Sequence, residues 1–366
     1  MPIREIAADD AAGRKRFIRL ERELHGGEPS FVSTIDADED RFLSGQTSFN
    51  RGIEHTMFLA SNHGDVGRCA AFVNRRYQEQ HDEPVGFIGH FAAAPDAGEE
   101  ALELISTAEE WLGQRGVTRV IAPYSTLGQF GLRTAEFDDS PLFPFRWHPP
   151  YHATYLDQAG YRPTYPWWSF RVDFASERYR EVSRRAIEDA QCKVRTFDKK
   201  RWQEEWDLVC DLFNRSFQDE WEFYPLTVEE WREFYDPVKA LFDSRQALFA
   251  EVDGEPVGVC IGAPDYNPLF RKARGKLGLW GQVRFALGVR RTRRAGLWLI
   301  GVLPGRRGRH IGQTLAATLY RRYEELGLNQ AEYHIVNEEN LGSRSLAESL
   351  GGVGRVLYHN YDRRLD

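Results

Sequence analysis

The chain is poor in sulfur, with 4 cysteines and 2 methionines in 366 residues. Cys69, Cys192, Cys210 and Cys260 stand far apart and form no C-x-x-C pair, so neither a zinc site nor a disulfide framework is expected. They read as reduced thiols of a cytoplasmic protein that binds no metal. Long apolar runs are also missing: nothing approaches the roughly 20 residues needed to cross a bilayer. The first ten residues are charged and lack an apolar core, so no secretory signal is expected. The most pointed absence is local. Between Tyr266 and Arg322 there is no Asp or Glu, although the chain as a whole carries a net charge of −7. Of the 48 Lys and Arg residues, 14 fall in that stretch, and all 55 acidic residues lie outside it. An acid-free stretch implies an anionic partner. Nucleic acid is not expected, because the remainder of the chain would repel it and no recognition motif is present.

What is present begins with enough length for about two domains, each with its own core. An apolar content of 42% and an aromatic content of 13% fit a globular protein. The stretch Leu299-Ile-Gly-Val-Leu-Pro-Gly-Arg-Arg-Gly-Arg-His-Ile-Gly-Gln-Thr-Leu315 reads as an apolar strand, a turn rich in glycine and arginine, and a helix start. The helix keeps Ile311, Leu315, Leu319 and Tyr323 on one face. Such a layout aims backbone N–H groups and a helix N-terminus at one point, which suits a phosphate or pyrophosphate. A Walker loop would end in Gly-Lys-Ser/Thr where this chain has Gly312-Gln313-Thr314, and the Rossmann spacing is not met either.

The loop resembles the acyl-CoA pyrophosphate loop of the GNAT acyltransferase superfamily, Val-x-Pro-x-x-Arg-x-x-Gly-x-Gly, through Val302, Pro304, Arg307 and Gly312. His310 departs from it, standing where the family usually has its first loop glycine. The resemblance implies acetyl-CoA or a longer acyl-CoA as co-substrate, held by Val302, Leu303, Arg307, Gly308, Arg309, His310, Ile311, Gly312 and Gln313, with Asn340 and Arg344 able to approach it. The residue reading alone leaves Asn340 as a helix cap and Arg344 as a solvated side chain.

The sequence also repeats itself at about 190 residues. Phe58–Cys69 and Leu248–Cys260 both read as β-hairpins, and Leu156–Gly160 and Ala347–Gly351 both close a helix on glycine. Between these landmarks each half runs strand, amphipathic helix, strand: Val85–Ala92, a helix near Glu99–Gln114 and Val117–Ala122 in the first half; Leu297–Leu303, Ile311–Leu326 and Ala331–Val336 in the second. The expected fold class is therefore α/β, as two tandem GNAT-like domains, each a mixed central sheet flanked by helices. Residues 1–175 form a degenerate first domain, 176–191 a connecting helix, and 192–366 the domain with the loop and a basic insertion at 268–294. In the first half the loop position reads Ala93-Ala-Pro-Asp-Ala-Gly-Glu-Glu100, whose acids would repel a pyrophosphate. Short strings such as Val85-Gly-Phe-Ile-Gly-His90, His148-Pro-Pro-Tyr-His152 and Pro264-Asp-Tyr-Asn267 resemble a bacterial two-copy branch that includes ceramide synthase-like members.

Acyl transfer to an amine needs donors for the developing oxyanion, a base for the amine proton and an acid for the thiolate. The resemblance implies that backbone groups of Gly301–Leu303 supply the first. It places a tyrosine acid seven residues after Asn340, where this chain has Ala347. His334 is the candidate base, with a packed strand histidine as its ordinary alternative; Asp265 competes, with a turn-forming role as its alternative. Trp221, Phe223, Tyr224 and Tyr266 are candidates for the acceptor pocket or for plain packing. The expected function is acyl transfer from acyl-CoA to a small-molecule amine by a monomer or homodimer. The alternatives are a lipid amine met at an anionic membrane surface, which the basic and apolar segment 269–294 would touch, and a non-catalytic acyl-CoA-binding protein.

Overall fold

A computed structural model describes residues 3–124, 131–137, 140–143, 145–220, 223–236, 239, 242–276, 279–289 and 291–365. The chain divides into two compact units. The first comprises Met1–Trp167, Tyr266–Phe285 and Val356–Asp366; the second comprises Trp168–Asp265 and Ala286–Arg355. In chain order the elements are β1 (Ile3–Ile6), α1 (Ala11–His25), α2 (Asp36–Leu43), β2 (Ile53–Ser61), β3 (Asp65–Asn74), α3 (Arg75–His81), β4 (Val85–Ala93), α4 (Gly98–Gly113), β5 (Arg119–Tyr124), β6 (Leu132–Arg133), α5 (Tyr151–Gln158) and β7 (Arg162–Asp173). There follow α6 (Glu177–Glu188), β8 (Lys193–Thr196), α7 (Trp202–Phe217), α8 (Val228–Tyr235), β9 (Ala247–Val252), β10 (Glu255–Pro264), α9 (Asn267–Ala273), α10 (Leu279–Val289), β11 (Ala295–Val302), α11 (Ile311–Glu325), β12 (Gln330–Asn337), α12 (Leu341–Ser349) and β13 (Val353–Arg364).

Each unit is a mixed sheet with helices against it, as the repeat implies. In the first unit β1-β2-β3-β4 run antiparallel, β4 and β5 run parallel, and Tyr361–Arg364 of β13 close antiparallel onto Arg119–Ala122. In the second unit the order is β7-β12-β11-β10-β9-β8, with β11 and β12 parallel. The heptad-like stripe of α11 is fully used: Ile311, Leu315, Leu319 and Tyr323 are buried in the core of the second unit. Each such side chain contributes about 1.5–3 kcal/mol by leaving water. The glycines that close the paired helices both take left-handed φ, +89° at Gly160 and +79° at Gly351, which explains why both halves need glycine there.

The division between the units differs from a simple cut after residue 175. α6, anticipated as a connector, buries Tyr179, Ser183 and Ala186, and the Tyr179 hydroxyl donates to Glu324 at 2.8 Å. Those residues sit three and four apart, so one face of an otherwise charged helix belongs to the second unit's core. Residues 266–285 cluster with the first unit instead. There the amide of Asn267 donates to the carbonyls of Pro141 and Phe145 at 2.8 and 2.9 Å, and Phe270 meets Phe143 at 5.5 Å.

Candidate functional site

The turn after β11 is built from short-range bonds. The N–H of Arg306 donates to the carbonyl of Leu303 and that of Arg307 to Pro304, after which Gly308 takes φ +81° and His310 φ +57°. His310 thus adopts the left-handed conformation in which glycine carries no penalty, and this is the physical content of its departure from the loop pattern. α11 begins at the next residue with no side-chain cap and no acid in its first turn. Its leading N–H groups therefore lie at a positive helix end with no side chain answering them. Arg307 donates to the carbonyl of Ser216 at 2.7 Å and ties the turn to the end of α7.

β11 and β12 are paired at Gly296 with Glu332 and at Leu297 with Tyr333, and among the described residues no further pairing joins them. Past that point the strands part. Ile335 holds φ +62°, rare for a β-branched residue, beside the gap. The N–H of Leu303 is spent on Val257 of β10 at 3.0 Å. It is thus removed from the anticipated oxyanion donors, while alternation turns the N–H of Val302 toward the gap.

At the gap opens a cavity of about 730 Å³, walled by Ile300–Val302, the turn, the first residues of α11, Tyr333 and Asn337 of β12, the start of α12, and Ser216, Phe217, Asp219 and Glu220. Of the residues named from the loop, Val302, Arg307, Gly308, His310, Ile311, Gly312, Gln313 and Asn340 line it. Leu303 lines a smaller adjoining hollow of about 300 Å³. Arg309 and Arg344 are not among the lining residues; Arg344 pairs with Glu348 at 3.0 Å and lies over the Trp168 ring at 4.7 Å. Asn340 caps its helix, as the residue reading has it, and also lies on the cavity wall. Its carbonyl caps α12 through the N–H of Ser343 at 2.9 Å, and its amide donates to Glu220 at 2.8 Å on the cavity wall. Burial raises the Glu220 carboxyl above its ordinary pKa.

His334 and Asp265 are buried and are not lining residues of this cavity. The Nδ1 of His334 lies 2.9 Å from the Ser169 hydroxyl, which is also 3.3 Å from Glu332; Glu332 in turn meets Arg171 and Arg294 at 3.3 and 3.1 Å. Burial lowers the His334 pKa to about 4, so the ring is neutral at pH 7. The backbone of Asp265 is tied to Arg294 and Thr292. Phe223 is buried against Phe213 at 5.8 Å and Tyr224 is half-buried, both away from the cavity wall. Tyr266 belongs to the first unit, where it meets Phe143 at 5.3 Å and Phe285 at 5.5 Å. Trp221 lies outside the described residues.

Sequence reasoning missed Glu220, Ser216 and Tyr333. Ser216 lies in the last turn of α7 and Glu220 follows it, both distant in sequence from the loop. Tyr333 stands beside a histidine that drew the attention, though strand alternation alone would have put the two on opposite faces. Its hydroxyl bonds to Ser343, and burial raises its pKa.

The first unit handles the same positions differently. Among the described residues β4 and β5 pair from Val85 with Arg119 to Gly89 with Tyr124, with a register shift after Phe87, and α4 carries Glu99 and Glu100 in its first turn. The unit buries a polar network instead. Arg68 donates to Glu21 at 2.6 Å and Arg146 donates to Glu39, which lies 3.3 Å from His90. Desolvation opposes ionising Glu39, but Arg146 and His90 outweigh it and hold the carboxyl at about 2.

A mixed sheet whose two parallel strands part over an uncapped helix N-terminus is the arrangement of the GNAT fold. Residues 206–351 match the Acetyltransferase (GNAT) family, and the chain as a whole is similar to tandem GNAT proteins. It is 27% identical to the bacterial ceramide synthase of Caulobacter vibrioides (strain NA1000 / CB15N), over 98% of this chain and 97% of that one. It is 25% identical to Protein YghO of Escherichia coli (strain K12), over 96% and 93%. Among solved structures, a tandem GNAT protein from the clavulanic acid biosynthesis pathway shares the fold with a TM-score of 0.56 at 14% identity, over 99% and 98% of the two chains. A GCN5-related N-acetyltransferase from Sphaerobacter thermophilus does so with a TM-score of 0.51 at 18% identity, over 99% and 95%.

Proposed function

We propose that the second unit transfers an acyl group from acyl-CoA to the amine of a small molecule. The observation that carries this reading is the coincidence of the strand gap and the bare α11 N-terminus on one cavity. The pyrophosphate lies on the N–H groups of Gly312 and Gln313, where the helix end favours negative charge. The thioester reaches the gap, and the Val302 N–H donates to the carbonyl oxygen as it gains charge. The amine attacks the carbonyl carbon and the C–S bond breaks. His334, on the other face of β12, is neutral and takes the amine proton; Asp265 is the alternative base. Tyr333, the tyrosine on the cavity wall, protonates the departing thiolate in place of a residue at position 347, which is a buried Ala.

A second reading keeps this chemistry but makes the acceptor a lipid amine. The relative named bacterial ceramide synthase, matched over nearly the whole chain, favours it. Free thiol followed with acyl-CoAs of graded length and a panel of small and long-chain amines tests both. Release with long-chain amines alone selects the second reading. Tight CoA binding with no release for any amine would make the protein a non-catalytic acyl-CoA binder.

A further inference from the structure

Three described apolar side chains of α10 lie on opposite sides of the helix. Phe285 points inward, buried, and meets Tyr266 at 5.5 Å and Phe270 at 5.2 Å. Val283 and Leu287, one turn apart on the other side, are 50% and 61% exposed. Single exposed aliphatic residues are ordinary on protein surfaces. A pair at i and i+4 on a helix whose opposite face already supplies its packing is not explained by the fold, because a helix needs only one apolar stripe to dock.

Charge narrows what meets that face. Exposed Lys272, Arg274 and Lys276 precede the helix in the chain, and exposed Arg291 and Arg293 follow it. The whole span from Tyr266 to Arg322 contains no acid. Aliphatic side chains on a helix between two basic clusters match an interfacial element, with the apolar pair below the headgroups and the cations among anionic ones. No helix among the described residues is long and apolar enough to cross a membrane, so this contact is one of lying on the surface.

We propose that α10 and its basic flanks dock the protein on anionic bilayer surfaces. This goes beyond the acyl-transfer reading and stands without it. The aliphatic pair supplies insertion, and each flanking cation contributes about fivefold in affinity at low salt.

The test is co-sedimentation of the full chain with vesicles of phosphatidylcholine alone or mixed with phosphatidylglycerol. The wild type should sediment with the mixed vesicles, release with salt, and leave the pure phosphatidylcholine vesicles unbound. Val283→Asp/Leu287→Asp should lose at least tenfold in vesicle affinity, an order-of-magnitude expectation for two inserted aliphatic groups. Lys272→Glu/Lys276→Glu should lose binding at low salt. Val353→Asp, at an exposed apolar position outside the helix, should bind as the wild type does. Thermal melting and CoA titration on each variant verify that the fold and the cavity are intact. A wild type that ignores anionic vesicles, or a Val283→Asp/Leu287→Asp variant that binds unchanged, overturns the docking. A dimer that sediments as such in the ultracentrifuge and is dissolved by the same pair of substitutions overturns it in favour of a second copy of the chain. Loss of docking with CoA binding retained leaves the acyl-transfer reading untouched; docking without CoA binding sinks that reading alone.

Discussion

His334 and Tyr333 are neighbours on β12 that face opposite ways: the hydroxyl of Ser169 lies 2.9 Å from His334 Nδ1, while Tyr333 lines the cavity. The proposed base and acid are therefore set on the two faces of one strand, at the place where that strand leaves its partner.

His334→Asn keeps a polar atom toward Ser169 and removes the imidazole. It should lower kcat by roughly 100-fold or more, the usual scale for a general base, and leave CoA affinity unchanged. Tyr333→Phe should lower kcat by a similar factor, because the departing thiolate then lacks its proton donor, and leave CoA affinity unchanged. Steady-state kinetics with CoA titrations read both; a His334→Asn enzyme with unaltered kcat would shift the role to Asp265.

Gly312→Asp tests the loop without breaking it. A Cβ at Gly312 meets nothing closer than Leu346 at 3.5 Å, and the helix start tolerates a carboxylate. The new charge would face the pyrophosphate, so CoA affinity should fall by at least about tenfold with the melting temperature preserved. Calorimetric titration giving wild-type affinity would mean the anion lies elsewhere.

His310 should be replaceable by glycine with a gain. Its left-handed φ of +57° costs an L-residue about 1–2 kcal/mol, partly returned through the freer unfolded chain that glycine brings. The expected order of stability is His310→Gly at or above wild type, with His310→Val lowest because a β-branched residue fits that conformation worst. Urea midpoints report it.

Stability should fall below pH 6.5. Burial lowers His90, His148 and His334 to about 4, whereas the unfolded chain titrates them near 6.5. Between those values the unfolded state holds more protons, so stability rises with pH by up to about 1.4 kcal/mol per unit for each ring. As pH falls further, Glu39 adds a loss between the ordinary carboxyl range and about 2, since its folded carboxylate resists protonation. Urea midpoints that match at pH 7 and pH 5 would mean these histidines are not held neutral.

Much of the fold could be read locally. The stripe at Ile311, Leu315, Leu319 and Tyr323 announces a helix because apolar residues at that period can be buried only on one side. The two hairpins and the two glycine-closed helices announce a repeat for the same local reason. Asn340 was recognisable as a cap from its place before a short helix. Glu220 and Ser216 were not recognisable as cavity residues, because nothing in their neighbourhood along the chain marks them.

The sequence by itself determined the mixed α/β class, the duplication and the turn rich in glycine and arginine before α11. These rest on period, glycine and charge, which act over a few residues. The tertiary structure decided that β11 and β12 separate after Leu297 and Tyr333, that His310 is left-handed, and that Leu303 spends its N–H on Val257. It also decided that residues 266–285 belong with the first unit. Strand separation and segment assignment depend on which distant backbone groups find partners, a sum over the whole sheet that no local pattern contains.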